Sequence, residues 1–97
     1  MNIQGRVLAV WDKKIVVDID VAQKVKVKNY MQHCSGRLPF QGFRVSVKVP
    51  NNRFNKDDLV KLRVKKKEYA FVDKKTKEKI EGWNLVLEKI IEHHYNF

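Results

Sequence analysis

The sequence predicts an all-β domain, a small five-stranded antiparallel barrel with a protruding hairpin and at most one short helix. The chain has 97 residues, which suits one compact core, so residues 1–97 are interpreted as a single domain. Apolar and polar residues alternate with a period of two in several short runs, as they do in half-buried strands. Such runs are frequent and helical patterns are few, which favours a small barrel or sandwich.

The N-terminal half supplies the first strands. Residues 3–11 and 15–21 are rich in β-favouring side chains, and the short polar segment between them predicts a hairpin. Residues 24–28 alternate lysine with valine, which predicts another strand with a basic row. Residues 29–41 lose the alternation and contain Gly36 and Pro39, so we expect a connector there.

Two further strands follow from the alternation in residues 43–49 and 60–65. In the first, Phe43 shares a face with Val45 and Val47, so we expect it in the core. The polar positions of the two runs face the other way. They are Arg44, Ser46, Lys48, Lys61, Arg63 and Lys65.

The C-terminal part predicts the protruding hairpin. Residues 68–73 and 80–91 flank a lysine-rich segment, 74–79, that cannot bury itself and should project into solvent or onto a ligand. Trp83 is expected in the core. The strand is predicted to run to about residue 87, whereas an apolar stripe over 86–91 would also fit a helix.

Positive charge is concentrated in the middle of the chain. Lys and Arg number 21 against 11 Asp and Glu, for a net formal charge of +10. Residues 24–67 hold thirteen basic and two acidic residues, which accounts for the whole excess. This clustering favours a functional basic surface for a polyanion, the alternative being an ordinary solvated face.

Several classes of protein are excluded. Cys34 is the only cysteine, so an internal disulfide and a four-cysteine zinc site are impossible. No apolar run is long enough for a membrane span and no signal peptide is recognisable, so we expect a soluble cytoplasmic protein without a membrane partner. The lysine-rich composition suits a bacterial, plasmid or viral origin.

Among small barrels, the five-stranded OB-fold accommodates these elements best, because its edges close and one face stays open for an oligonucleotide. Residues 43–47, 56–64, 69–79 and 83–90 resemble the later strands of single-stranded DNA-binding proteins of the bacterial and phage type. In that family a strand follows a short polar loop, a hairpin with a charged tip comes next, and a closing strand follows. The resemblance covers about half the chain.

A second resemblance overlaps the first. Residues 4–8 and 42–47 are similar to OB domains of the initiation-factor-one and cold-shock type. The two comparisons place residues 43–49 on the third or on the fourth strand. Both imply a nucleic-acid-binding barrel. Residues 93–97 do not resemble the acidic tail with which the DNA-binding family recruits partners, so recruitment through such a tail is not expected.

Binding a single strand without sequence preference requires cations along the phosphates and aromatic faces for the bases. We expect Phe54, in a polar loop, and Tyr69 and Phe71, on one face of the hairpin, to stack on bases. One face of that hairpin is expected to point inward, and the alternative for Phe54 is a plug at the barrel end. Trp11 also lies beside basic residues, Lys13 and Lys14. The expected phosphate contacts are Arg44, Lys48, Arg53, Lys61, Arg63 and Lys65, converging into one continuous channel.

The expected function is therefore non-enzymatic binding of single-stranded DNA, or less favourably RNA, without a cofactor or metal. Homo-oligomerisation through an exposed β edge or the final apolar segment is compatible with the sequence. The main alternative is a structural or adaptor protein that docks on structured RNA or an acidic protein. A second is a metal-dependent enzyme using Asp18 and Asp20, which would share a strand face but lack a third acidic ligand.

Overall fold

The computed structural model describes residues 1–51 and 53–96. These residues form six strands and one helix. The elements are β1 (Asn2–Trp11), β2 (Lys14–Asp18), α1 (Val21–Tyr30), β3 (Phe40–Gln41), β4 (Arg44–Lys48), β5 (Leu59–Val72) and β6 (Lys79–His94).

Five of the strands close into a barrel. Neighbouring strands follow the order β1, β2, β4, β6, β5 and back to β1, which is consistent with an OB-fold-like topology. The pairing of β4 with β6, where Val47 lies opposite Leu85, is parallel, and the other pairings are antiparallel. The predicted five-stranded barrel is confirmed, although it is mixed rather than wholly antiparallel. The short β3 adds to the edge of β4.

The barrel interior is filled by the apolar members of the alternating runs. Val45 and Val47 on β4 are fully buried, as are Leu62 and Val64 on β5. Burying one such side chain stabilises the fold by about 1.5–3 kcal/mol relative to leaving it exposed. The period-two pattern therefore predicted correctly which side of these strands faces inward.

The prediction of a strand at residues 24–28 is wrong, because this segment lies in α1. Asp20 caps the helix, since its Oδ1 accepts a hydrogen bond of 2.8 Å from the backbone N–H of Gln23. Val27 and Met31, one helical turn apart, are buried against the barrel core, whereas Val25 is exposed. A helix buries Val27 and Met31 on one side and leaves Val25 exposed, whereas an alternating strand would place all three on the same face. The described residues contain no helix that could span a membrane.

The β5–β6 hairpin projects from the barrel, as predicted. β5 pairs with β1 only up to Arg63, but it pairs with β6 as far as Val72. The turn at its tip is organised by Asp73, whose Oδ1 accepts hydrogen bonds from the backbone N–H groups of Lys75 and Thr76, at 2.7 and 3.3 Å. The charged tip is thus an ordered turn on a long two-stranded ribbon.

The end of β6 is fastened to the barrel by a buried carboxylate. β6 remains a strand to His94, so the helical alternative for its end is wrong. Asp58 is fully buried, and its Oδ2 lies 2.7 Å from Nε2 of His93. The backbone N–H groups of Asn55 and Asn96 also donate to this carboxylate, at 2.9 and 2.8 Å. Asp58 therefore joins the loop before β5 to the C-terminal segment.

Burial by itself raises the pKa of Asp58, but the hydrogen bonds from His93, Asn96 and Asn55 outweigh it and hold the pKa below its usual value. A carboxyl group whose pKa is lowered by folding stabilises the native state most fully above its unfolded-state pKa, about 3.9. That contribution is lost as the pH falls through the lower folded-state pKa.

We expect Asp58→Asn to lower the free energy of unfolding near neutral pH by about 1–3 kcal/mol, because buried donors lose a charged acceptor. As the pH decreases below about 4, the free energy of unfolding should also fall less in the variant than in the wild type. Urea unfolding measured at several pH values tests both expectations, with Asp12→Asn, in the exposed β1–β2 turn, as the matched control. Equal stability and equal pH dependence of the Asp58 variant and the wild type would contradict this role.

Candidate nucleic-acid interface

The cations predicted to form one channel lie on two separate strands. Arg44 and Lys48 lie on β4, whereas Lys61, Arg63 and Lys65 lie on β5. These strands are not neighbours: β6 separates them on one side of the barrel, and β1 and β2 separate them on the other. The five residues therefore do not form one row of adjacent side chains, and the continuous channel through all of them stays a prediction. Side-chain alternation gives the face of a strand but not which strands become neighbours.

Lys61 and Arg63 lie in a surface of mixed charge. Lys61 is opposite Glu92 on β6, and Arg63 is opposite Lys89. The carboxylate beside Lys61 offsets its attraction for a phosphate at short range. Lys61 is consequently a poorer candidate for a phosphate path than its sequence pattern indicates, whereas Arg63 has no carboxylate opposite it on either neighbouring strand.

Lys65, by contrast, is connected to β4 across the outer surface. Val86 on β6 lies opposite Lys65 on one edge and opposite Lys48 on the other. Lys48 in turn lies opposite Lys14 on β2. Residues directly opposite each other in a sheet project to the same side. Lys14, Lys48, Val86 and Lys65 therefore form one row across four strands, which we call the cationic belt.

The principal concave surface near this belt lies on the outer faces of β1, β2 and β4. We call it the outer groove, and its volume is about 780 Å³. Segment 38–41, which contains β3, forms one of its walls. The apolar lining consists of Leu8, Ala9, Val16, Leu38, Pro39 and Phe40. An exposed apolar floor of this kind suits the flat face of a base or another planar group.

The groove also carries net positive charge. Arg6, Lys14, Arg44 and Lys56 line it, Asp57 is the one carboxylate among its described lining residues, and Asp18 lies opposite both Arg6 and Arg44 in the sheet. Asp57 lies 3.9 Å from Nε of Arg6, with both side chains about half exposed, so this ion pair is weak. Net positive charge over an apolar floor is the composition expected of a site for an anionic chain with aromatic bases.

Trp11 is the exposed aromatic residue of the outer groove. It ends β1, and its side chain is 52% exposed. Nζ of Lys14 lies 4.7 Å from the ring centroid, which is a cation–π contact. Trp11 adjoins lysines in the sequence, but it is not among the residues predicted to stack on bases. The sequence signal for its exposure was its position just before a tight turn, because side chains at the ends of strands can lie outside the barrel interior.

Phe54, predicted to stack on bases, is only 2% exposed. Its ring packs against His93, with the centroids 4.9 Å apart, and it belongs to the barrel core. The stacking assignment is wrong for this side chain, because the loop folds back to cover core residues, as in the alternative interpretation. Arg53 is exposed in the same loop but does not line the outer groove.

Tyr69 and Phe71 share one face of the hairpin, as predicted. Their rings are stacked, with centroids 6.2 Å apart, and Phe71 is 51% exposed. Tyr69 lies across from Gly82, and the space above that glycine is occupied by the Tyr69 ring. The face with these rings does not contribute to the core, whereas the opposite face carries Trp83, across from Glu68, which is partly buried against the core.

Phe43 is also placed differently from the expectation. It precedes the first residue of β4, it is 44% exposed, and Nζ of Lys24 lies 4.5 Å from its ring centroid. The preceding Gly42 has φ of 61°, a turn conformation, so the strand alternation does not extend back to Phe43. Trp83, also predicted in the core, is partly buried and packs against it.

The two aspartates considered for metal binding do not share a strand face. Asp18 ends β2 opposite Arg44, and Asp20 is the cap of α1. Within residues 1–51 and 53–96, no group of three or more His, Cys, Asp and Glu side chains could hold a metal ion. The proposal of an Asp18 and Asp20 metal site is therefore unsupported by their geometry.

Comparison of the chain with protein-family models, with curated proteins and with solved structures found no match.

The contrasting burial of two phenylalanines can be tested by stability measurements. Phe54→Ala should lower the free energy of unfolding by about 3–5 kcal/mol, because it leaves a cavity in the core. Phe71→Ala should change it by less than about 1 kcal/mol, because the ring is half exposed on the hairpin. Urea unfolding of the two variants measures the difference. Similar losses of stability in both would contradict the assignment of Phe54 to the core.

Proposed function

We propose that this protein binds single-stranded nucleic acid without catalysis and with little sequence preference, through the outer groove. The observation that carries the proposal is the exposed ring of Trp11 in the lining of a concave surface that also contains apolar residues and four cations. Stacking on an aromatic ring contributes about 1–3 kcal/mol per base and does not depend on base identity. Cations along the groove supply the attraction for phosphates.

The topology supports this location of the site. OB-folds bind oligonucleotides on the face formed by their second and third strands, together with the loops between strands one and two and between strands four and five. In the barrel order the corresponding elements are β2 and β4, the turn at residues 12–13, and the hairpin tip at residues 73–78. The outer groove lies on β2 and β4, and Trp11 adjoins the first of these loops.

Each residue class then has a distinct role. Arg6, Lys14 and Arg44 bind phosphates, and Trp11 stacks on a base. The cationic belt extends the phosphate path from the groove towards the hairpin, where Tyr69 and Phe71 offer a second aromatic surface. Lys61 and Arg63 contribute to the general positive field but not to the path.

DNA is proposed as the preferred ligand on the strength of the resemblance to bacterial and phage single-stranded DNA-binding proteins. The alternative of an adaptor that docks on structured RNA or an acidic protein uses the same cations but does not require an exposed Trp11. Competition among single-stranded DNA, single-stranded RNA and duplex DNA distinguishes these functions. Preference for duplex or folded RNA over oligo-dT would favour the adaptor.

The role of the groove can be tested with labelled oligo-dT by fluorescence anisotropy. Trp11→Ala should weaken binding by about 5- to 150-fold, which corresponds to the loss of one stacked base. Arg44→Gln should weaken it too, and should reduce the slope of log affinity against log salt by about 0.7, the value for one phosphate contact on a single strand.

Lys61→Gln is the matched control, because it removes the same charge from the β5 surface outside the groove. It should leave both the affinity and the salt slope close to those of the wild type. Binding that is insensitive to salt, or a larger loss in the Lys61 variant than in the Arg44 variant, would contradict the proposed site.

A further inference from the structure

One edge of the projecting hairpin is free to pair with another strand. β5 pairs with β6 along its whole length, but on its other edge the pairing with β1 ends at Arg63, and Met1 and Val64 exchange the last two hydrogen bonds there. No described strand pairs with this edge of β5 beyond Val64. Exposed strand edges of this kind are templates for the addition of a further strand.

The hydrogen bonds show which backbone groups point to this edge. Val64 donates its N–H to the carbonyl of Met1 and accepts from the Met1 amino group, so the even-numbered residues of β5 present their backbone groups to the free side. Asp73, an odd-numbered residue, donates its N–H to Glu78 on the opposite side. The bulges between β5 and β6 precede Val64 and do not alter this alternation.

The first group on the free edge already has a partner, because the backbone N–H of Lys66 donates to the hydroxyl of Tyr30 at 3.4 Å. Glu68, Ala70 and Val72 follow, and all three are exposed. Together they offer three N–H and three C=O groups on one edge. This is enough for three hydrogen-bonded residue pairs with an antiparallel strand.

We propose that a second copy of this chain pairs with this edge, with the two β5 strands antiparallel and Ala70 of each copy directly opposite Ala70 of the other. In this register Glu68 lies opposite Val72 of the second copy. All three hydrogen-bonded pairs then use even-numbered residues, as the backbone geometry requires. The interface is isologous and closes as a two-fold symmetric dimer.

The side chains favour this register over its neighbours. On the face that carries the aromatic rings, Tyr69 of each copy lies opposite Phe71 of the other, and aromatic cross-strand pairs stabilise sheets by about 0.2–1 kcal/mol each. Lys67 lies opposite Asp73 of the second copy, an opposite-charge pair. A shift that brings Glu68 opposite itself would instead pair two carboxylates and place each aromatic ring opposite a lysine.

The same pairing explains two exposed hydrophobic side chains. Phe71 and Val72 are 51% and 61% exposed although they lie in a regular strand. The dimer places Phe71 beside the ring of Tyr69 from the second copy, on the same face of the sheet, and places Val72 beside an added strand. Beyond this segment, Lys66 would meet Lys74 of the second copy, so like charge limits the pairing to the outer hairpin.

Sedimentation velocity of the full-length chain, without nucleic acid, tests the proposal independently of the proposed function. The wild type should show a concentration-dependent monomer–dimer equilibrium. Ala70→Pro should be monomeric, because proline removes an N–H that faces the free edge but none that bonds to β6. Ala70→Ser, which keeps the N–H, should still dimerise. A wild type that remains monomeric at all concentrations would overturn the proposal.

Cysteine cross-linking tests the register and does not depend on the proline variant folding. In a chain carrying Cys34→Ser, Ala70→Cys should form an intermolecular disulfide, because opposite Cα atoms of a hydrogen-bonded pair lie about 5.5 Å apart, within disulfide range. Glu68→Cys should not form one, because residue 68 of one copy lies opposite residue 72 of the other, four positions away from the second residue 68. Cross-linking through residue 68 and not through residue 70 would contradict the proposed pairing.

The pairing of Lys67 with Asp73 of the second copy provides a third test. Lys67→Glu should weaken dimerisation, because it places a carboxylate opposite Asp73 of the second copy. Lys89→Glu makes the same change of charge on β6 outside the interface and should leave the dimer unchanged. Equal effects of the two variants would show that net charge, rather than this pairing, controls association.

Discussion

The parallel pairing of β4 with β6 is the contact that brings cations of β4 and β5 onto one surface of the barrel. It closes the sheet, so that Val47 and Leu85 meet in the core while Lys48 and Val86 meet on the outside. Without this contact, Lys48 and Lys65 would belong to distant parts of an open sheet. Closure of the barrel thus brings Lys48 on β4 and Lys65 on β5 to opposite sides of the same β6 residue, Val86.

The distribution of charge around the barrel explains why the number of lysines is a poor guide to the site. Lys61, Arg63 and Lys65 are consecutive outward residues of one strand, but only Lys65 connects to other cations through the cationic belt. The outer groove gathers its four cations from three parts of the chain that are far apart in sequence: β1 and β2, β4, and the loop before β5. The proposed site is assembled only by folding, so we expect any affinity for a ligand to depend on the integrity of the barrel.

β-favouring side chains predicted β1 and β2, and a lysine-rich segment between two apolar runs predicted the long hairpin. The period-two alternation of apolar residues predicted β4 and the first part of β5, with their buried faces. It failed at residues 24–28, where alternating lysine and valine fits a strand equally well and a helix cap at Asp20 decides the outcome. It also failed for Phe54 and Phe43, which lie outside regular strands. Their burial is set by how a loop packs and where a turn begins.

The sequence also did not show which strands are neighbours in the barrel. A local pattern does not indicate which strands pair over long sequence separations, so the groove formed by β1, β2 and β4 could not be predicted from the sequence alone. Trp11 was visible as an aromatic residue beside lysines, yet its importance depends on the concave apolar surface next to it. The free edge of β5 likewise can be recognised as a candidate for strand pairing only when the direction of each backbone N–H group is known.

In the proposed function, the ring of Trp11 in the outer groove contacts the bases of a single strand. Its fluorescence reports this contact directly once Trp83, the other tryptophan, is replaced by phenylalanine. Titration of this variant with oligo-dT should produce saturable quenching that follows the fraction of bound oligonucleotide measured independently by anisotropy. Binding without any change in the Trp11 emission, or no binding at all, would contradict the account.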